Sequence, residues 1–140
     1  MADPYANYGV LDFLTDIPYS EGRKFFTRGH LGYYNRLPEM VEELRPDLAG
    51  PPVDRNLQDR MYNFMGGYDM VARGMSPEAA TSGARAYQYR DYVGGRQEDA
   101  VGDYQENVAG INAFDPEQGR LSDDALIDLA LKFAKERMAR

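Results

Sequence analysis

The sequence predicts an all-α fold, a small helical bundle or orthogonal array with an extended, aromatic-rich N-terminal arm. Three observations predict it. Apolar residues beyond position 54 recur at three- and four-residue steps, the helical period. Cap-forming residues open the periodic segments, and glycines close the first two. Six of the eight prolines fall before position 53, where they cut the chain into short pieces. The domain reading follows: residues 1–53 form an arm with short helices, and residues 54–140 form the helical body.

The arm carries Pro4, Pro18, Pro38, Pro46, Pro51 and Pro52. One short helix is expected from Pro38 to Leu44, because proline suits a first helical position and Met40, Val41 and Leu44 share a face before Pro46. Gly50-Pro51-Pro52 then acts as a stiff connector. From Asp54 to Gly74, Leu57, Met61, Phe64, Met65, Tyr68 and Val71 follow the helical period, with Asp54 as cap and Gly74 as stop. Ser76-Pro77-Glu78 opens a second helix running through Ala80, Ala84 and Tyr87 toward Tyr92, and Gly94-Gly95 ends it. A third is expected from Gln97 to Ile111. The fourth runs from Ser122 to the C-terminus, acidic early at Asp123, Asp124 and Asp128 and basic late at Lys132, Lys135, Arg137 and Arg140, as the helix dipole favours. Leu126, Leu129, Ala130 and Phe133 form its apolar stripe.

Composition narrows the function. The 140 residues suffice for one core, and the hydrophobic fraction of 43% with a mean hydropathy of −0.63 fits helices that each keep a wet face. Sixteen basic against 23 acidic residues give a net charge of −7, which repels a phosphate backbone, so direct nucleic-acid binding is not expected. The chain has no cysteine, hence no disulfide framework, thiol nucleophile or thiolate metal site. The start Met1-Ala2-Asp3-Pro4-Tyr5 lacks a signal-peptide pattern, and no apolar run approaches the roughly 18 residues of a membrane helix, so no membrane insertion is expected.

Candidate contact residues are the arm aromatics Tyr5, Tyr8, Phe13, Tyr19, Phe25, Phe26, Tyr33 and Tyr34, large apolar groups of which the tyrosines tolerate a partly wet surface. They lie either on the chain's own body or on a partner. Asp99, Asp103 and Asn107, four apart with Glu106 alongside, would line one helix face with oxygen atoms, and Asp59 and Asn63 repeat that spacing on an earlier helix. Acids on helix faces are usually just solvated, and that is the reading this spacing favours over a cation site. No local motif selects a catalytic carboxylate pair among 23 acids. The single histidine, His30, suits a surface or packing role. Gly66-Gly67 inside a helix fits close helix contact, and Gly94-Gly95-Arg96 fits a turn. Arg55, Arg60, Arg73, Arg85, Arg90 and Arg96 lie among acids, as in salt-bridged surfaces or interface pairs. No catalytic residue, metal or cofactor is expected.

From about residue 54 to 114 the order of features resembles a helical family of uncharacterised function found in bacteriophage-encoded and bacterial proteins. That family has an early acid-rich segment with histidine and a later Asp-x-His-Asn-Asn-x-x-Gly-like segment. Here the later segment reads Asp103-Tyr104-Gln105-Glu106-Asn107-Val108-Ala109-Gly110, and the earlier one Gln58-Asp59-Arg60-Met61-Tyr62-Asn63. Asp103, Asn107 and Gly110 match, while both histidines are missing. The resemblance thus implies a retained fold used for assembly: a non-enzymatic structural protein of a tailed-bacteriophage virion, in the capsid, tail or an ejected component. It would be assembled in the host cytoplasm and bound to other virion proteins or copies of itself. The alternative is a small or degenerate peptidoglycan-directed enzyme using Asp59, Asp103 and Glu106.

Overall fold

A computed structural model describes residues 3–17, 33–48 and 54–139. The fold is all-α, with no strand among these residues. Residues 10–17 form α1 and Tyr33–Leu44 form α2; a single 3-10 turn at Pro46–Leu48 follows. The body comprises α3 (Arg55–Ala72), α4 (Pro77–Val93), α5 (Gln97–Ala113) and α6 (Asp123–Met138).

Local chemistry sets the starts of α3, α4 and α6 and the stops of α3 and α4. The side chain of Asp54 accepts a hydrogen bond from the Asn56 amide, Ser76 from Ala79, and Ser122 from Ala125, so each satisfies one of the orphan N–H groups at a helix start. Gly74 and Gly95 follow α3 and α4 at φ of +115° and +96°, a left-handed turn that glycine enters without steric cost. Lys135 and Arg137 stand in the last turn of α6 and Asp123 and Asp124 in its first, in the dipole-favoured order.

Helix α3 is the central element, flanked by α5 and α6, and α4 lies against α5. One core joins Val41 of α2, Leu48, the α3 residues Met61, Phe64, Met65 and Tyr68, and the α6 residues Leu126, Ile127, Ala130 and Ala134. Full burial of side chains such as Met61, Phe64 and Met65 contributes about 1.5–3 kcal/mol each. Phe64 stacks on Phe133 at 4.7 Å between ring centroids, and the Tyr68 hydroxyl accepts a hydrogen bond from the Leu121 amide at 2.9 Å, fixing the entry to α6. A second core gathers Met70, Val71, Ala80, Ala84 and Ile111.

Gly67 and Gly110 let the α3 and α5 backbones touch. A Cβ on Gly67 would fall 2.0 Å from the Asn107 carbonyl oxygen, and one on Gly110 would fall 1.9 Å from that of Phe64. Close contact is therefore the reason for glycine at position 67.

The described parts of the arm carry the short helices expected there, but α2 begins at Tyr33, so Pro38 sits inside the helix and not at its first position. Internal proline removes a backbone hydrogen bond and costs about 3 kcal/mol. Burial of Val41 against α3 and α6 offsets part of that. Leu44, expected on the same buried face, is exposed, and Leu48 of the 3-10 turn takes the place in the core. In the body, α5 continues two residues past Ile111. In α6, Ile127 and Ala134 are buried fully, whereas Leu129 and Phe133 pack at the core's edge. The expected connector at Gly50-Pro51-Pro52 and the single His30 lie outside the described residues.

Candidate functional site

Among the described residues, chemistry concentrates in an aromatic seat for the N-terminal segment and in a polar cluster where α3, α5 and α6 meet.

The seat is built from Arg85, Tyr89 and Tyr92 of α4 and Tyr104 of α5. Tyr5 is 3% exposed, its ring 4.7 Å from Tyr92, 5.8 Å from Tyr89 and 6.1 Å from Tyr104 between centroids. Its hydroxyl donates to the Arg85 carbonyl at 2.7 Å. Tyr8 meets Tyr89 edge-on at 4.9 Å, and Phe13 of α1 lies 5.0 Å from the same ring. The Tyr8 hydroxyl donates to Asp16 at 2.7 Å, while the Arg85 guanidinium lies over the Tyr8 ring at 5.1 Å. Arg85 Nε stands 3.4 Å from Asp16 as an ion pair without hydrogen-bond alignment. At the rim Tyr92 donates to Asp3 at 2.8 Å, and Asp3 also accepts from the Tyr5 amide. Burial, and then the neighbouring Tyr104 and Tyr8, push the Tyr5 hydroxyl well above the ordinary tyrosine range, so it stays a donor. Burial and the bond to Asp16 do the same for Tyr8. Beside the seat an open cleft of about 230 Å³ is lined by Asp3, Asn7, Tyr8, Asp12 and Arg85.

Among the arm aromatics, Tyr5, Tyr8 and Phe13 thus lie on the chain's own α4 and α5. Tyr19, Phe25 and Phe26 fall outside the described residues, and Tyr33 and Tyr34 open α2 with side chains that also fall outside them. The outward face of α1 is different in kind. Val10, Leu11 and Leu14 are 66%, 80% and 55% exposed and form one stripe at positions i, i+1 and i+4. None of the three is aromatic, and the apolar spacing within VLDFL is the signal that marks them in the sequence.

In the second place, Asn63 of α3 donates from its amide nitrogen to Asp103 and to Glu106 of α5, both at 2.9 Å. Glu106 is fully buried. Arg137 of α6 donates to its Oε2 at 2.5 Å, and Arg60 Nε lies 2.8 Å from the same oxygen as an ion pair without hydrogen-bond alignment. Arg60 also reaches Asp103 at 3.5 Å. Deeper in, Asn107 donates to the Asn63 carbonyl at 2.9 Å and accepts from Gln88 at 3.3 Å. The four-residue spacings therefore bring Asn63, Asp103 and Asn107 together, with Glu106 and two arginines, but Asp59 and Asp99 remain exposed apart from them. Among the described residues no three His, Asp or Glu side chains converge as a metal site.

A second buried carboxylate escaped the sequence reading. Asp69 is enclosed in α3, bonded by Arg73 one turn on and by Arg120 at 3.2 Å, and Arg120 also pairs with Asp123 at 2.9 Å. This ties the α5–α6 connection to α3. An acid between Tyr68 and Met70 with arginine four residues later was the sequence signal.

Asp103 is pushed up to about 6, first by burial and then by the neighbouring Glu106 charge. The folded chain therefore holds a proton there more tightly than the unfolded chain does, so this group favours folding at acid pH. Its contribution is lost as pH rises through about 6. Thermal unfolding of the parent at pH 5 and pH 7.5, compared with Asp103→Asn, should show the parent losing roughly 1 kcal/mol more on the rise than the variant. Equal losses would assign the pH dependence to other carboxylates.

Comparison of the chain with family models, curated proteins and solved structures gives no match. No helix among the described residues is long and apolar enough to cross a membrane.

Proposed function

We propose that this chain is a non-enzymatic assembly protein that acts through protein–protein contacts, and that the assembly is a tailed-bacteriophage particle. The observation carrying the first statement is the Val10, Leu11 and Leu14 stripe, three large apolar side chains turned to solvent on a helix whose other face is docked on the body. Leaving them exposed forfeits burial energy that a partner surface would recover. The setting rests on the resemblance of residues 54–114 to a phage-encoded family. The Asp103 and Glu106 carboxylates are engaged by Asn63, Arg60 and Arg137, which suits a cluster that joins helices.

The test is the double substitution Leu11→Asp and Leu14→Asp, which touches the outer face of α1. The helical circular dichroism should be unchanged and stability should move by no more than about 0.5 kcal/mol, while incorporation into particles should fall by tenfold or more. Normal incorporation of a folded double variant refutes the proposal.

One observation favours the enzymatic alternative: a carboxyl group titrating near 6 suits a general acid. Hydrolysis of peptidoglycan by the purified chain, abolished in Asp103→Asn and in Glu106→Gln, would establish it.

A further inference from the structure

We infer that Arg60 is a proton-steered arm: it pairs with Asp103 when that carboxyl is ionised and with Glu106 when it is neutral, and its position sets how firmly Arg137 holds the last turn of α6. The inference stands apart from the assembly reading. Its basis is the way two carboxylates share their donors. One nitrogen, Asn63 Nδ2, donates to Asp103 and to Glu106 at 2.9 Å each, which holds the two acids side by side. Arg60 reaches for both and satisfies neither. Its terminal nitrogen stands 3.5 Å from Asp103, and its buried Nε, 2.8 Å from Glu106, lacks hydrogen-bond alignment. A guanidinium keeps its charge at every working pH and carries a planar fork of donors, so this one gains a well-formed pair by moving to either side.

The charge balance decides which side. The groups that face Asp103 are Arg60 and Asn63 of α3, Glu106 and the more distant Asp99 of α5 and, across Glu106, Arg137 of α6. Helix α4 also packs on α5, but its Arg85 is paired with Asp16 and its Gln88, uncharged, meets Asn107. With Asp103 ionised, two arginines face two carboxylates. Arg60 then turns to Asp103, and Arg137 keeps Glu106 at 2.5 Å to itself. With Asp103 protonated, both arginines share the one charge on Glu106, and their mutual repulsion weakens the hold of Arg137. Arg137 also donates to the Gln105 side chain and the Gly102 carbonyl from the last turn of α6, so the difference is felt at the end of that helix. Burial and the Glu106 charge place the change near pH 6. Arg137 thus limits, without cancelling, the stability lost as Asp103 ionises.

The test is a magnetic-resonance titration of the isotope-labelled full-length chain from pH 5 to pH 7.5, following the Asp103 carboxyl carbon and the Nε–H signals of Arg60 and Arg137. All three should move together with a midpoint near pH 6. In Asp103→Asn, which holds that side chain neutral, both arginine signals should stay flat. A stability measurement checks the link to α6. Arg137→Ala should raise the unfolding equilibrium constant by a factor about threefold or more larger at pH 7.5 than at pH 5, and by reciprocity it should raise the Asp103 midpoint by about half a pH unit or more. An Arg60 signal that stays flat while the Asp103 carboxyl titrates overturns the arm, as does one that still moves in Asp103→Asn. A carboxyl that does not titrate in this range overturns the proton as its driver. Equal effects of Arg137→Ala at the two pH values overturn the hold on α6.

Discussion

Gly67→Ala and Gly110→Ala should each unfold or nearly unfold the protein, although alanine is the better helix former. Propensity favours the substitution by about 1 kcal/mol at a helix interior. Contact opposes it far more strongly, because the new methyl would stand 2.0 Å from the Asn107 carbonyl oxygen at position 67 and 1.9 Å from the Phe64 carbonyl oxygen at position 110. These obstacles are backbone atoms, so relief requires α3 and α5 to separate. Separation would loosen the Asn107 to Asn63 bond and the second core together. A loss of roughly 3–5 kcal/mol is expected, within reach of the whole stability of a domain this size. Gly102→Ala on α5 is the internal control, since its Cβ meets nothing closer than the Arg137 side chain at 3.6 Å. It should stabilise the chain by up to about 1 kcal/mol. Urea midpoints of the three variants read the result, and a stable Gly67→Ala or Gly110→Ala protein would mean that the helices are not in backbone contact.

Glu106→Ala should be the most damaging side-chain deletion outside the apolar cores. It removes a fully buried carboxylate and leaves Arg60 and Arg137 without their shared oxygen and Asn63 with one unanswered donor. Breaking such a buried pair from one side costs about 3–5 kcal/mol, and the partial exposure of both arginines places the expectation at the lower end. Glu106→Gln, which keeps the shape and part of the hydrogen bonding, should lose about half as much. In a double-mutant cycle with Arg137→Ala, the second substitution should add little once the first is present, giving a coupling of about 1 kcal/mol or more. Independent, additive losses would mean that α6 is not anchored through this carboxylate.

How much of this was legible in the sequence depends on distance along the chain. Asp54, Ser76 and Ser122 announced their helices because a cap bonds to an amide two or three residues away. Gly74 and Gly95 announced stops through a backbone conformation local to each. Pro38 misled for the same reason: its local preference for a helix start was overridden by a helix long enough to bury Val41. The candidate cluster was half legible. Four-residue spacing put Asp103 and Asn107 on one face of α5 and marked Asn63 on α3, yet the register that joins them is set by Gly67 and Gly110, where the two backbones touch. Arg137, thirty-one residues beyond Glu106, read only as a dipole-compatible charge. Nothing local distinguishes a cation that closes a buried cluster from one that faces water. The aromatic seat was legible on one side, in Tyr5, Tyr8 and Phe13; its receiving side, Tyr89, Tyr92 and Tyr104, required the helices to be placed.

The crowding of tyrosines around the seat has an optical consequence. The chain contains no tryptophan and eleven tyrosines, so its near-ultraviolet signal comes mainly from phenol rings. Five of these, Tyr5, Tyr8, Tyr89, Tyr92 and Tyr104, form a chain of ring pairs with centroids 4.7–6.4 Å apart. At such separations their transitions couple, and the bond from the Tyr8 hydroxyl to Asp16 opens a route for quenching its emission. The protein thus carries a built-in, label-free chromophore for its N-terminal segment: undocking should flatten the near-ultraviolet dichroism and brighten the tyrosine emission by roughly the share of one phenol in eleven, while the far-ultraviolet helix bands change little.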